Sequence, residues 1–120
     1  MNNLNFYTYF RRELDKTCIP MILDIVDTKP IMYRGRQVGI LCTKNNCIDC
    51  VYVMPTLRRK GLAKKAVMEW LKATGYTSVD LLIINSNGIA LKFWSKIFKL
   101  TPISTGEIDT LYRGELYGNT

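Results

Sequence analysis

The chain of 120 residues contains no histidine. That absence excludes Ser-His-Asp triads, Cys-His dyads and His-ligated metal centres. Long hydrophobic runs are also missing, and none approaches the ~18–20 residues that a membrane-spanning helix needs. The opening stretch, MNNLNFYTYFRREL, lacks the apolar centre of a signal peptide and sets its cations after its aromatics. A cytoplasmic protein with no membrane partner is therefore expected. Carboxylates are scarce, with 10 Asp and Glu against 17 Lys and Arg, which leaves a net charge of +7. Such a balance favours anionic partners: a nucleotide cofactor, a nucleic acid or an acidic protein face.

Cysteine is sparse but clustered. Cys42, Cys47 and Cys50 follow one another closely, with Cys18 far upstream. Close cysteine spacing is also used by zinc and iron–sulfur sites. Here a fourth ligand would have to come from Cys18, and Cys47 and Cys50 lie three apart on a β-like run, where alternation turns them to opposite faces. The expectation is no metal, with these cysteines as small buried hydrophobes.

Hydrophobic residues make up 48% of the chain, enough for an ordinary core and against disorder. No linker, repeat or low-complexity segment divides it, so residues 1–120 are expected to form a single domain. The first 28 residues read as mostly helical. Phe6, Tyr9, Phe10 and Leu14 make one apolar stripe, and Ile19, Ile22, Leu23 and Val26 make another. DTKP, residues 27–30, should stop the second helix, because the residue before a proline avoids helical angles. Three β-like runs follow, Ile31–Tyr33, Gln37–Thr43 and Cys47–Val53, punctuated by Gly35 and by Asn45-Asn46. They predict an antiparallel meander.

The clearest helix begins after Gly61. Leu62, Ala63, Ala66, Val67, Trp70 and Leu71 share one face, with Lys64, Lys65, Glu69 and Lys72 opposite and Gly75 at the C′ position. SVDLLIIN then reads as a strand buried on both faces. A second helix is expected from about Asn87 to Lys99, with Ala90, Phe93, Trp94 and Ile97 inward. TPIST and DTLYRGELYG close the chain as a hairpin. The order predicts an α+β, mixed α/β architecture around a central sheet.

One stretch stands out. In VMPTLRRKGLAKKAV, Arg58, Arg59 and Lys60 run into Gly61 where the helix begins. A helix N-terminus already carries unpaired N–H groups and partial positive charge, so cations there are unfavourable unless an anion compensates. The alternative is a solvated basic face.

This stretch resembles the signature of the GNAT family of N-acetyltransferases, in which a strand ending V-x-P-x-x-R-x-x-G-x-G/A passes directly into a helix. Val53, Pro55, Arg58, Gly61 and Ala63 occupy those positions without a gap. A second family signature, a strand of L-x-V type followed by N-x-x-A-x-x-x-Y, is matched by Leu81, Ile83, Asn87, Ala90 and Trp94, with tryptophan replacing tyrosine. The resemblance covers roughly residues 31 to 118, and implies a mixed, mostly antiparallel sheet with N-terminal helices and two further helices packed on it.

It further implies an acetyl-coenzyme A (acetyl-CoA) cofactor. The backbone N–H groups from Arg59 through Lys60, Gly61, Leu62 and Ala63 to Lys64 would receive its pyrophosphate, with Arg58, Arg59 and Lys60 adding attraction. By the same carry-over Val51, Tyr52 and Val53 offer backbone groups to the pantetheine arm, and Asn87 and Trp94 flank the cofactor. Each has a plainer alternative: strand core for the first three, a helix N-cap for Asn87, and core for Trp94. The family tyrosine that serves as general acid is absent, because an indole N–H is a very poor acid. The family glutamate position falls on Cys47. Asp49 is the nearest carboxylate and the candidate base; its alternative is a hydrated strand-edge carboxylate. The family's glycine-phenylalanine after the second helix is replaced by Phe98 and Lys99.

The implied activity is N-acetyl transfer from acetyl-CoA to an amine by direct attack. The acceptor is open; a lysine, a protein N-terminus or another amine on a macromolecule would suit a small groove. Two other classes stand beside it: a non-catalytic domain that binds coenzyme A, and a basic nucleic-acid-associated module using Lys44, Lys92, Lys96 and Lys99.

Overall fold

Tight turns build the first half of the sheet. The computed structural model describes residues 27–118; the two helical stripes expected before Asp27, and Cys18, lie outside the described residues. Strand β1 (Asp27–Tyr33) turns into β2 (Arg36–Lys44) through Arg34 and Gly35. Their φ angles of 52° and 77° are both positive, as a two-residue primed hairpin turn requires. β2 turns into β3 (Cys47–Val53) through Asn45, at φ 53°. These three strands are the expected antiparallel meander, and β3 has the bounds that the sequence predicts.

A short 3₁₀ turn, Pro55–Leu57, leads to helix α1 (Leu62–Thr74), then to β4 (Ser78–Ile84), helix α2 (Gly88–Ser95), β5 (Phe98–Thr105) and β6 (Asp109–Leu116). Among the described residues six strands form one sheet in the order β1-β2-β3-β4-β6-β5. Every junction is antiparallel except β3–β4. The mixed α+β class and the closing hairpin are therefore as expected. No helix among the described residues is long and apolar enough to cross a membrane.

One buried cluster holds the layers together. It joins Val67, Trp70 and Leu71 of α1 and Trp94 of α2 to Leu41, Ile48, Val79, Leu81, Ile83, Ile97 and Phe98. Residues of this size contribute roughly 1.5–3 kcal/mol each when fully buried. The α1 stripe faces inward as its spacing predicts: Val67, Trp70 and Leu71 enter this core, while Leu62, Ala63 and Ala66 pack on a second group, Ile31, Val38 and Val53. The helix stops at Gly75, whose φ of 80° lets its N–H reach the Leu71 carbonyl at 2.8 Å.

Three expectations need correction. Asp27 and Thr28 are not the end of a helix, since β1 already starts at Asp27. Pro30 sits within that strand opposite Ile40, which is tolerated because among the described residues β1 is the edge strand of the sheet, where a proline's missing N–H costs no ladder bond. α2 ends at Ser95 rather than Lys99, and Phe98 and Lys99 open β5. The cause is long-range: Phe98 is fully buried, pairs with Leu116 and packs on Gly114. A Cβ at Gly114 would lie 2.9 Å from the Phe98 Cβ, so the glycine is the space that the ring's stem occupies. Finally, β4 is buried on one face only. Val79, Leu81 and Ile83 point into the core, while Leu82 is 55% exposed. The strand enclosed on both faces is β2, where Gln37 through Thr43 are all buried.

Candidate functional site

The one parallel junction is also the shortest ladder. Among the described residues β3 meets β4 only at Cys47–Asp80 and Ile48–Leu81. Beyond Ile48 the strands part toward their C-terminal ends. The local cause lies on the other side of β3. Cys50 pairs with Cys42 and Ile48 with Thr43, so Asp49 is an extra residue without a partner on β2. Such a bulge bends its strand and increases the twist, here turning Val51, Tyr52 and Val53 away from β4. Val53 is buried against Ile31 and Val38, and Val51 packs on the same group. Their side chains are thus core, and only their backbone borders the opening.

At the mouth of this opening the chain changes direction. Met54 N–H reaches the Val38 carbonyl at 2.9 Å, and Leu57 N–H bonds the Met54 carbonyl. Arg58 folds back: its Nε donates to the Val53 carbonyl at 2.8 Å, and its guanidinium lies 5.3 Å from the centre of the Tyr52 ring. Arg58 thus staples the loop to the strand end. Arg59 (φ 66°) and Gly61 (φ 75°) both adopt left-handed conformations, which swing the backbone so that α1 starts facing the opening. A Cβ at Gly61 would meet nothing within 4 Å. The glycine answers a conformational demand, and the space beside it is open.

Helix α1 begins without a lid. Gly61 offers no side-chain cap, the first turn holds no acidic residue, and the first i→i−4 bond runs from Lys65 N–H to the Gly61 carbonyl at 3.0 Å. The N–H groups of Leu62, Ala63 and Lys64 therefore have no acceptor within the helix. The side chains of Leu62 and Ala63 pack inward against Ile31, Val38 and Val53; Arg59, Lys60 and Lys64 are exposed. Donors aimed outward, a positive dipole end and open space beside Gly61 fit a pyrophosphate.

At the closed end of the opening, two carboxylates lie on the two strands that part. Asp49 occupies the bulge. Burial pushes its carboxyl above its ordinary pKa, and nearby Lys44 pulls it back. Asp80 stands opposite Cys47 on β4 and is held by Arg113 Nε of β6 at 3.2 Å. The Cys47 thiol is pushed up by burial and then by the charges of Asp49 and Asp80, so it stays protonated. The Cys50 thiol is pushed up further by its hydrogen bond with Cys42 and by burial. Among the described residues no group of three or more His, Cys, Asp or Glu is disposed around a metal position.

Asp80 is the residue that sequence reasoning missed. Its signal is a single carboxylate inside the otherwise apolar SVDLLII, a placement that costs burial unless a partner or a function compensates. The remaining candidates lie where β4 leads into α2. Asn87 is the N-cap of α2, with its Oδ1 accepting from Ala90 N–H at 3.0 Å. Trp94 is 7% exposed, edge-on to Phe93 at 4.8 Å and 6.2 Å from Phe98. The described geometry thus gathers Asp49, Val51–Val53 and the 58–64 segment along β3 and the start of α1. It places Asn87 in a cap and Trp94 in the core.

Comparison with known proteins bears on the whole arrangement. The acetyltransferase (GNAT) family matches residues 10–99. A search of curated proteins finds no significant match. Among solved structures, the chain is similar to the PaiA N-acetyltransferase of Thermoplasma acidophilum in complex with coenzyme A, at 16% identity and TM-score 0.63, covering 96% of this chain and 80% of that one. It is similar to a Bacillus subtilis acetyltransferase in complex with CoA, at 17% identity and TM-score 0.60, with coverage of 97% and 93%. A third is a GNAT family acetyltransferase from Elizabethkingia anophelis with acetyl-CoA bound, at 18% identity and TM-score 0.57, with coverage of 87% and 82%. At these identities the likeness is one of fold.

Proposed function

This chain belongs to the GNAT family of acetyltransferases, and on that premise we propose that it transfers an acetyl group from acetyl-CoA to an amine by direct attack. The observation that carries the proposal is the parting of β3 from β4 at the Asp49 bulge, with the uncapped start of α1 at its mouth. An extended arm terminated by a pyrophosphate fits that shape. The backbone of Val51, Tyr52 and Val53 would border the arm, and the N–H groups of Arg59 to Lys64 would receive the pyrophosphate. Arg59, Lys60 and Lys64 add attraction. Arg58 keeps the loop in place and contributes its charge from there, Asn87 sets the start of α2, and Trp94 backs the groove wall from the core.

Acetyl-CoA supplies a thioester, an acyl group already activated toward amines. The protein's task is to hold the amine close and relieve it of a proton. Asp49, on the bulge with its carboxyl pKa raised by partial burial, suits that base role. Asp80, fixed by Arg113, presents a second carboxylate to a cationic acceptor. A thiol is far more acidic than an alcohol or an amine, so the thiolate leaves without a strong acid and the lack of a tyrosine at Trp94 does not block turnover. A single unit extending over residues 1–120 is part of the same proposal.

Calorimetric titration with acetyl-CoA tests it, using wild type, Gly61→Asn and Gly61→Asp. Asn and Asp both tolerate the left-handed angles at this position and differ chiefly in charge. Micromolar binding by wild type, retained within about tenfold by Asn and lost by Asp, is the expected order, because a carboxylate there sits on the phosphate donors. No binding by wild type at low salt would sink the proposal. Release of the CoA thiol with a panel of amines then separates an enzyme from a non-catalytic binder.

A further inference from the structure

The hairpin turn between β1 and β2 stands beside the anion-facing loop and adds to its charge. Lys60 Nζ lies 6.0 Å from the centre of the Tyr33 ring, and the Arg34 guanidinium lies 5.2 Å from the same ring. One aromatic side chain is thus bracketed by a cation from each segment. Arg36 follows at the first residue of β2, opposite Tyr33 in the register. No Asp or Glu occurs between Asp27 and Asp49, or between Asp49 and Glu69, so nothing in these segments offsets the charge.

Two of the three described non-glycine residues with positive φ are arginines, Arg34 and Arg59, and both belong to this corner; the third is Asn45. A left-handed residue costs an arginine more than an asparagine or glycine, and such conformations persist where function holds them. At Arg34 the two-residue turn would be more relaxed as Asn-Gly. The turn keeps a cation at the expense of its own geometry.

We propose that Arg34 and Arg36, with Tyr33, form a second anion subsite that takes the 3′-phosphate of coenzyme A. The inference rests on the reading of the α1 start as the pyrophosphate cradle. The pyrophosphate uses the 59–64 donors, and the 3′-phosphate stands one ribose ring away. Lys60, from the cradle loop, reaches over Tyr33 of the turn and so links the two segments. An arm that runs along β3 past Val53 reaches the end of the sheet where this turn projects, since Met54 bonds back to Val38 of β2. A guanidinium matches a phosphate in bidentate fashion, and two of them would make the site read the nucleotide's second phosphate rather than only its charge.

The test compares coenzyme A with 3′-dephospho-coenzyme A, by titration of the full chain as wild type and as Arg34→Asn with Arg36→Gln. Arg34→Asn installs the residue the turn prefers, so the fold is retained. Wild type should bind coenzyme A roughly ten- to a hundredfold more tightly than the dephospho form, the range of charge-assisted hydrogen bonds. The double variant should lose that discrimination while keeping its affinity for the dephospho form. Equal binding of both nucleotides by wild type would overturn the subsite and leave the pyrophosphate cradle standing. An equal loss of affinity for both in the variant would also overturn it, reducing the arginines to general attraction. Absence of binding by either nucleotide overturns cradle and subsite together.

Discussion

Two helices of this molecule follow the two strands of one parallel pair, and they begin in opposite ways. α2 starts at Asn87, which closes its own helix end by accepting from Ala90. α1 starts at Gly61, which brings no capping side chain and a left-handed backbone, with cations just before it. The surroundings differ in the same sense. Beyond α2 the sheet stays joined, with β4 and β6 paired over seven positions, β5 and β6 paired on both sides of a bulge at Ile103, and Phe98 seated on Gly114. Before α1, β3 leaves its neighbour after two residue pairs. One half is closed on itself and the other is left with donors facing out. Unsatisfied backbone groups are tolerated where a ligand or water completes them, and the proposed acetyl-CoA site uses that half.

The comparison breaks first if the closed half is not where the stability lies. Phe98→Ala should destabilise the fold by about 3–5 kcal/mol, the range for a buried aromatic, whereas Gly61→Asn should cost ~1 kcal/mol or less. Urea denaturation of both variants decides it, and equal losses would contradict the division.

A smaller effect separates the two caps. Asn87→Ala should cost about 1 kcal/mol, as removal of an N-cap does, with little change in acetyl-CoA affinity. A large loss of affinity without loss of stability would instead make Asn87 a ligand contact and sharpen its role beyond a cap.

The smallest effect concerns Asp49. Its folded pKa is raised above the unfolded one by burial, so the folded state holds its proton more tightly. That contribution to stability is fully present below the unfolded pKa and is lost as pH rises through the folded value. Asp49→Asn should therefore melt slightly higher than wild type at neutral pH and level with it in strong acid, followed by thermal melts across pH. If Asp49 is the base, the same variant also removes the acidic limb of the transfer rate.

How much was legible beforehand depends on how local each determinant is. β3 appears with its sequence-predicted bounds because Asn45-Asn46 and Pro55 delimit it from both sides. The buried face of α1 is readable because apolar residues recur at its own period. The Phe98 error has a distant cause: continuing the helix pattern past Ser95 looks sound until Leu116 and Gly114 are placed beside Phe98. The β4 error has a similar cause, since a run of apolar residues does not say whether both of its faces will be covered. Asp80 was overlooked because its meaning depends on Cys47 and Arg113, which are distant in sequence.

By itself the sequence determined the family signatures, the element order and the crowding of cations before a glycine at a helix start, because these are set by neighbouring residues and short periods. Tertiary structure decided the rest. The bulge that parts β3 from β4 exists only as a register between two strands. The turn of Arg58 back onto Val53 depends on where that strand ends, and the meeting of Arg34 and Lys60 over Tyr33 joins segments more than twenty positions apart. Pairing register and long-range packing are properties of the assembled sheet, and no local pattern encodes them.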